Sequence, residues 1–147
     1  MWAALTDENV LPEWLAAARI DLAVDGEVML QWLIADGEDD ESVVRGVVTA
    51  LDPPWLLEYL TDVHGLLRWE LRADADGTAL TFVNHSPMSS DHLLHTLAGW
   101  HTHLDHLEDA LAGHPVDWSS WSSRTRSVAS GLSQDDHRRR YSDRRRP

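Results

Sequence analysis

The run Leu67-Arg68-Trp69-Glu70-Leu71-Arg72 alternates apolar and charged side chains with a period of two. This is the spacing of a β-strand that buries one face and exposes the other. Turn-forming sequences bound the run, with His64-Gly65 before it and Asp74-Ala75-Asp76-Gly77 after it. Short turns of this kind join neighbouring strands in antiparallel order. The run therefore predicts one strand of an antiparallel sheet whose apolar face must be covered.

Five further runs rich in aliphatic and aromatic residues are bounded by turns in the same way. The strongest of these turns is Asp25-Gly26, a typical two-residue hairpin connection. The five runs cover residues 20–24, 28–34, 43–51, 55–61 and 78–84. With residues 66–72 they predict a meander of about six antiparallel strands.

Two other segments have helical spacing. Residues 7–18 begin with two acidic residues and continue with apolar residues three and four apart, which predicts a short helix. Residues 90–113 begin at the N-cap candidate Ser90 and end near Gly113. Six apolar residues of this longer segment lie within a sector of about 80° on a helical wheel: Leu93, Leu97, Trp100, Leu104, Leu107 and Leu111. We expect this stripe to cover the sheet, which makes the fold class α+β.

The net charge of −13 over 147 residues is distributed unevenly. Through Trp118 there are four arginines and 22 acidic residues, so the body of the protein repels nucleic acid and anionic membranes. The absence of cysteine excludes disulfides and thiol chemistry and suits a cytoplasmic protein. Neither a basic leader nor an apolar run long enough to span a bilayer is found in the sequence. We therefore expect a cytoplasmic protein with no membrane partner.

The last 29 residues have a different composition. Residues 119–147 contain eight serines, eight arginines and five apolar residues, too few to offset the entropy of ordering. We predict a domain over residues 1–118 and a disordered Arg/Ser-rich tail over residues 119–147. The arginine triplets at 138–140 and 144–146 could contact phosphates, but the acidic body competes for them, so nucleic-acid binding is not expected.

Five phrases of the sequence, in this order, carry a family resemblance: residues 2–7 (WAALTD), 51–54 (LDPP), 67–71 (LRWEL), 77–82 (GTALTF) and 99–101 (GWH). Over roughly residues 1–113 the chain resembles the START-like (SRPBCC) superfamily. Within it, the chain is similar to the bacterial branch related to the C-terminal domain of the heat-shock protein 90 ATPase activator. The resemblance implies a helix-grip fold, in which a curved antiparallel sheet wraps around a long C-terminal helix and an apolar cavity lies between them.

The beginning of the chain departs from the family pattern. Members normally start with a strand that precedes the Trp-Ala-Ala-Leu-Thr helix and pairs with the strand matched here by residues 78–84. In this sequence Met1 lies inside that first helix. We therefore expect the first family strand to be missing, the domain to be N-terminally truncated relative to the family, and strand 78–84 to have an open edge.

The alternation of the strands predicts where a ligand would bind. Trp32, Tyr59, Trp69 and Phe82 are expected to project from the concave face toward Trp100 on the long helix. A sixth residue, Trp14, is expected to close one end of the pocket. Aromatic walls with the Tyr59 hydroxyl, indole N–H groups and Asn84 as polar tips suit a small apolar or aromatic ligand. The alternative is that these large side chains fill the core and leave no cavity.

Three functions remain open. The first is a non-catalytic START-like domain that binds a small hydrophobic ligand. The second is a protein-interaction or chaperone-cofactor-type domain, with a filled core and an exposed apolar patch. The third is a cavity enzyme of the cyclase or hydrolase kind, which the sequence supports least because it contains no recognised nucleophile or phosphate-binding motif. We assign no catalytic residue and no cofactor.

Several other polar groups of the sequence resemble sites but have a simpler structural interpretation. His92, His95, His103 and His106 form a stripe on the long helix that we interpret as a solvated flank, not a metal site, because no carboxylate completes the set. Glu58 is expected on the wet face and His85 at a strand end, so neither is assigned an acid–base role. The acidic run at residues 38–41 is interpreted as a solvated loop.

Overall fold

The computed structural model describes residues 1–33, 43–86 and 90–143. Helix α1 (Trp2–Thr6) and a 3-10 turn (Leu11–Glu13) precede a six-stranded sheet. The strands are β1 (Ala17–Ile20), β2 (Glu27–Gln31), β3 (Val43–Asp52), β4 (Leu56–Thr61), β5 (Gly65–Asp74) and β6 (Gly77–His85). Helix α2 (Ser90–Leu111), a 3-10 turn (Trp118–Ser120) and helix α3 (Trp121–Asp143) complete the order. No helix in these three stretches is long and apolar enough to cross a bilayer.

The sheet is antiparallel throughout, in the order β1-β2-β3-β4-β5-β6, which confirms the predicted α+β meander with a long helix. Its inner face is built from cross-strand rows, such as Leu51 opposite Leu57, Leu57 opposite Trp69, and Trp69 opposite Phe82. The intervening residues of the same strands point outward. A register shift between Val48 and Ala50 interrupts the β3–β4 ladder, and irregularities of this kind bend a strand.

The segment before the sheet differs from the predicted helix over residues 7–18. Only α1 and one 3-10 turn form, and the chain then enters β1 at Ala17. Trp14, Leu15 and Ala16 are fully buried in irregular backbone. Their apolar spacing reflects burial on the core from a short connection instead of one face of a helix.

Helix α2 covers the sheet with a different face from the one we predicted. Trp100 and Leu107 are buried, but Leu93 is 52% exposed and Leu111 is 49% exposed. The buried positions extend instead to Ala98, Thr102, His103 and His106. The buried face differs because α3 packs along α2, while Trp100 reaches Phe82 and Asn84 of the sheet.

Helix α3 forms within the Arg/Ser-rich segment, residues 119–147, for which we expected disorder. Trp121 is buried, and the Arg124 guanidinium lies 3.1 Å from the Asp109 carboxylate of α2. The Trp118 indole also donates to the Pro12 carbonyl at 3.0 Å. These contacts attach the first turns of the segment to the domain, while the boundary after Trp118 stays a prediction. The arginines at 144–146 lie outside the described residues.

The predicted solvated histidine stripe is wrong for two of its members, because α3 covers them. His103 is 4% exposed and His106 is 2% exposed. The His103 ring lies 4.3 Å from Trp121, and its Nδ1 lies 3.1 Å from the Trp14 carbonyl. A carbonyl only accepts, so Nδ1 carries the proton. Burial lowers the pKa of His103 to about 3 and also lowers the pKa of His106, so both rings are neutral at pH 7.

A matched pair of glycines tests the fold. Gly46 in β3 is so close to the Leu60 carbonyl that a methyl group would collide with backbone, whereas a Cβ at Gly99 in α2 meets no heavy atom of the described chain within 4 Å. We expect Gly46→Ala to lower the free energy of unfolding by about 1–3 kcal/mol. Gly99→Ala should raise it by about 1 kcal/mol, because alanine favours the helix. Urea titrations measure the free energy of unfolding of both variants. If Gly46→Ala leaves this free energy unchanged, the close approach of β3 to β4 at Gly46 is contradicted.

The buried histidine predicts a pH dependence. An unfolded histidine has a pKa of about 6.5, so below that pH the unfolded state binds a proton that folded His103 rejects. Stability is therefore lost as the pH falls from about 6.5 toward 3. Between pH 6.5 and 5.5 this single group should remove about 1 kcal/mol of the free energy of unfolding.

His103→Asn isolates this effect, since an amide can still donate to the Trp14 carbonyl. Urea unfolding at the two pH values should show a smaller loss in the variant by about 1 kcal/mol. His101→Asn, at an exposed position of the same helix, is the control. Equal losses in wild type and His103→Asn would show that His103 does not titrate on unfolding.

Candidate ligand site

The six aromatic residues predicted to line a pocket lie together between the sheet and α2. Trp69 of β5 stacks on Phe82 of β6 with ring centroids 4.1 Å apart, and meets Trp14 edge-on at 5.8 Å. Phe82 lies 4.6 Å from Trp100, which lies 6.3 Å from Trp32. Tyr59, the sixth residue, joins the cluster through its hydroxyl, which accepts the Trp69 indole N–H at 3.2 Å. We call this set the aromatic cluster.

The inner part of the cluster is closed. Trp14, Tyr59 and Trp69 are at most 1% exposed. Their polar atoms are also occupied, because the Trp14 indole donates to the Ala4 carbonyl at 2.7 Å and the Trp69 indole donates to Tyr59. Burial raises the pKa of the Tyr59 hydroxyl well above its usual value, so it stays neutral. These three side chains form packed core, and each of their polar atoms already makes a hydrogen bond inside it.

The outer part of the cluster is more open. Trp32 and Phe82 are half-buried, and Trp100 is nearly buried beside them. The Trp100 indole donates to the Asn84 side-chain oxygen at 3.2 Å. The Asn84 amide in turn donates to the backbone carbonyls of His64 at 2.7 Å and Leu66 at 3.1 Å. Asn84 therefore ties α2 to the β4–β5 turn, and this network fixes one wall of the outer part.

Sequence reasoning missed His64, which completes this wall. Its ring meets Trp32 edge-on at 5.2 Å and Trp100 edge-on at 5.9 Å. Burial lowers its pKa, against a weaker raising effect of Asp62, so the ring is neutral at pH 7. The only signal in the sequence was the turn His64-Gly65, which indicates a change of chain direction and says nothing about where the imidazole points.

Charged side chains of the sheet lie on its outer face. The Arg68 guanidinium bonds the Glu58 carboxylate at 2.8 Å and the Glu70 carboxylate at 2.6 Å. The Thr49 hydroxyl also donates to the Glu58 carboxylate. The hydrogen bond from Arg68 to Glu58 is the main reason that the pKa of the Glu58 carboxyl lies below its usual value. Glu58 is thus on the face where we expected it, away from the aromatic cluster.

Two grooves are found on the outer face. One, of about 800 Å³, is lined by Arg19, Met29, Arg45 and Val47 among others. A second, of about 410 Å³, adjoins it beside Leu60. Met29, Val47 and Leu60 are exposed apolar side chains, so this face could contact another molecule.

Other candidates from the sequence add nothing to the site. His85 is exposed at the end of β6. The acidic residues 38–41 lie outside the described part of the chain. Within that part, no group of three or more histidine, aspartate or glutamate side chains could hold a metal ion.

The fold matches the folds of solved protein structures. CalU16 from Micromonospora echinospora superposes with a TM-score of 0.65 at 21% identity, covering 90% of this chain and 76% of its own. Protein MLL2253 from Mesorhizobium loti gives 0.62 at 21% identity, with 78% and 88% covered. DynU16, described as a protein in the dynemicin biosynthetic locus, gives 0.61 at 20% identity, with 78% and 43% covered. At these identities the likeness shows the fold alone, and no curated protein matches the sequence.

A family model adds evidence from the sequence itself. The model described as Activator of Hsp90 ATPase homolog 1-like protein matches residues 1–112. This match covers α1, the whole sheet and α2, and it ends just after the helix that carries Trp100. The chain therefore belongs to the family of Activator of Hsp90 ATPase homolog 1-like proteins.

Proposed function

We propose that this protein is a non-catalytic domain that binds a small, uncharged apolar or aromatic molecule at the outer part of the aromatic cluster. The observation that carries the proposal is the division of charge between the two faces of the sheet. Described inner-face positions such as Leu57, Trp69 and Phe82 are uncharged, whereas Glu58 and Arg68 between them point outward. A neutral aromatic surface favours a ligand that carries no charge.

The same surface gives little support to catalysis. The ionisable groups that contact the described part of the cluster are Tyr59, His64 and His103. Tyr59 is held neutral by burial, and His103 is bound to the Trp14 carbonyl and sealed by Trp121. This leaves His64 without a second ionisable group to share acid–base work, and such work normally needs both an acid and a base.

One structural relative supports a small-molecule role. DynU16 is described as a protein in the dynemicin biosynthetic locus, so this fold occurs in a protein from a biosynthetic locus. We extend to this chain only the idea that its ligand is a small organic compound. A cytoplasmic location stays a prediction that rests on the cysteine-free composition.

A protein-interaction role is the second candidate. It is favoured by the closed inner core and by the exposed apolar side chains Leu93, Leu94 and Leu97 at the start of α2. Exposed apolar patches on a soluble domain often contact a partner. The ligand role requires a ring to enter the aromatic cluster, whereas a docking surface for a protein does not.

Titration with a neutral aromatic probe distinguishes them. N-phenyl-1-naphthylamine fluoresces when it enters an apolar site, and we expect saturable binding to the wild-type protein. Phe82→Leu removes one ring of the outer part and keeps an apolar side chain, so the probe should bind about 3–10-fold more weakly. Val83→Ala, one residue along β6 on the outer face, should leave the affinity unchanged.

The alternatives give different results. No saturable binding to the wild type would refute the ligand role and leave protein interaction. Equal weakening in Phe82→Leu and Val83→Ala would place the probe outside the cluster. Native mass spectrometry of the protein purified from its own host should show a co-purified organic molecule, which a docking domain would lack.

A further inference from the structure

His64 is held in place by its backbone. Its N–H donates to the Thr61 hydroxyl at 3.0 Å, and its carbonyl accepts the Asn84 amide at 2.7 Å. Gly65, which follows it, has a φ of 70°, and a Cβ there would collide with the His85 carbonyl. The turn is therefore restricted to this conformation, and the imidazole is presented toward Trp32 and Trp100.

The imidazole Nε2 of His64 has no hydrogen-bond partner in the part of the chain that the structure describes. It is buried, and no described residue lies within bonding distance of it. Leaving a buried polar atom unpaired costs free energy, and such atoms in folded proteins usually bind water or a ligand. An oxygen atom supplied from outside the chain would remove this cost.

Trp32 is the side chain that can make room for such an oxygen. It is half-buried and lies one residue beyond the end of β2, after the last paired position, Gln31. Its indole packs on the rings of His64, Trp100 and His103, and rotation of the side chain alone would move it away from them. Trp100 is fixed by comparison, because it sits in α2 and its indole is bonded to Asn84.

We infer, building on the proposed function, that His64 Nε2 binds one uncharged oxygen, a hydroxyl or a ketone, on a planar aromatic ligand whose ring replaces the Trp32 indole. A neutral imidazole nitrogen can accept from a hydroxyl or donate to a carbonyl. Trp100 and His103, whose rings contact Trp32, then contact the ligand ring in its place. His64 is in this view the residue that determines specificity, and Trp32 is the gate.

The neutral state of His64 also determines which ligands are rejected. An imidazolium would attract a carboxylate, but burial favours the uncharged ring, and the domain around it is strongly acidic. An anionic aromatic acid should therefore bind worse than the parent hydrocarbon. A phenol of the same size should bind better.

Three naphthalene derivatives test this order at pH 7.5 by displacing N-phenyl-1-naphthylamine. We expect 2-naphthol to bind about tenfold more tightly than naphthalene, the ratio for one good hydrogen bond, and 2-naphthoate to bind most weakly. In His64→Phe the advantage of 2-naphthol over naphthalene should disappear, while naphthalene keeps its affinity. His64→Gln, which retains a polar side chain, should keep part of the advantage, and His85→Phe at an exposed position should keep all of it.

The two proposals fail in different ways. If naphthalene and the fluorescent probe both fail to bind, the ligand function itself is wrong. If naphthalene binds but 2-naphthol gains nothing, or if His64→Phe keeps the full gain, the site exists and the role of His64 is refuted. Either of these two results would mean that Nε2 binds water and not the oxygen of the ligand.

The gate has its own readout. With 5-fluorotryptophan incorporated, a Trp32→Phe variant identifies the Trp32 resonance in the fluorine NMR spectrum. Saturating 2-naphthol should shift this resonance strongly toward that of a solvent-exposed indole, while the resonance of Trp55, on the β3–β4 turn, stays in place. A Trp32 resonance that does not move on binding would refute the gate.

Discussion

The Trp69 side chain organises the interior of this domain. It stacks on Phe82, meets Trp14 edge-on, lies 6.1 Å from Trp100 and donates its N–H to Tyr59. One indole thus connects β4, β5 and β6 with the N-terminal segment and with α2. Because the ring is buried, these contacts form together, and the position of α2 over the sheet depends on them.

The strands that carry this interior separate two chemistries. Alternate residues of β4 and β5 point to opposite faces, so the Glu58–Arg68 ion pair lies behind the same strands that present Tyr59 and Trp69 inside. The histidines on the inner side are also uncharged at neutral pH, because burial lowers the pKa of His64 and of His103. A ligand that enters this side of the sheet therefore meets rings and neutral polar atoms.

The sheet and the aromatic cluster could be predicted from the sequence because alternation with a period of two specifies both the strand and the inward side. The buried face of α2 could not be predicted from the sequence, because the burial of its residues depends on α3. The composition of α3 indicates disorder. Trp121 and Arg124 supply the contacts that the average composition conceals. His64 was missed for another reason, since a turn residue has no periodic neighbours to indicate its direction.

The packing of the cluster limits how a ligand can be accommodated. Its inner residues, Trp14, Tyr59 and Trp69, are fully enclosed and internally bonded, so they have neither space nor free polar atoms to give up. Space can come from a partly exposed side chain that is held by ring packing, and Trp32, which packs on His64, Trp100 and His103, is such a side chain. Because the indole that leaves is itself bicyclic, a bicyclic ligand ring can take its place, while His64 selects the polar group of the ligand.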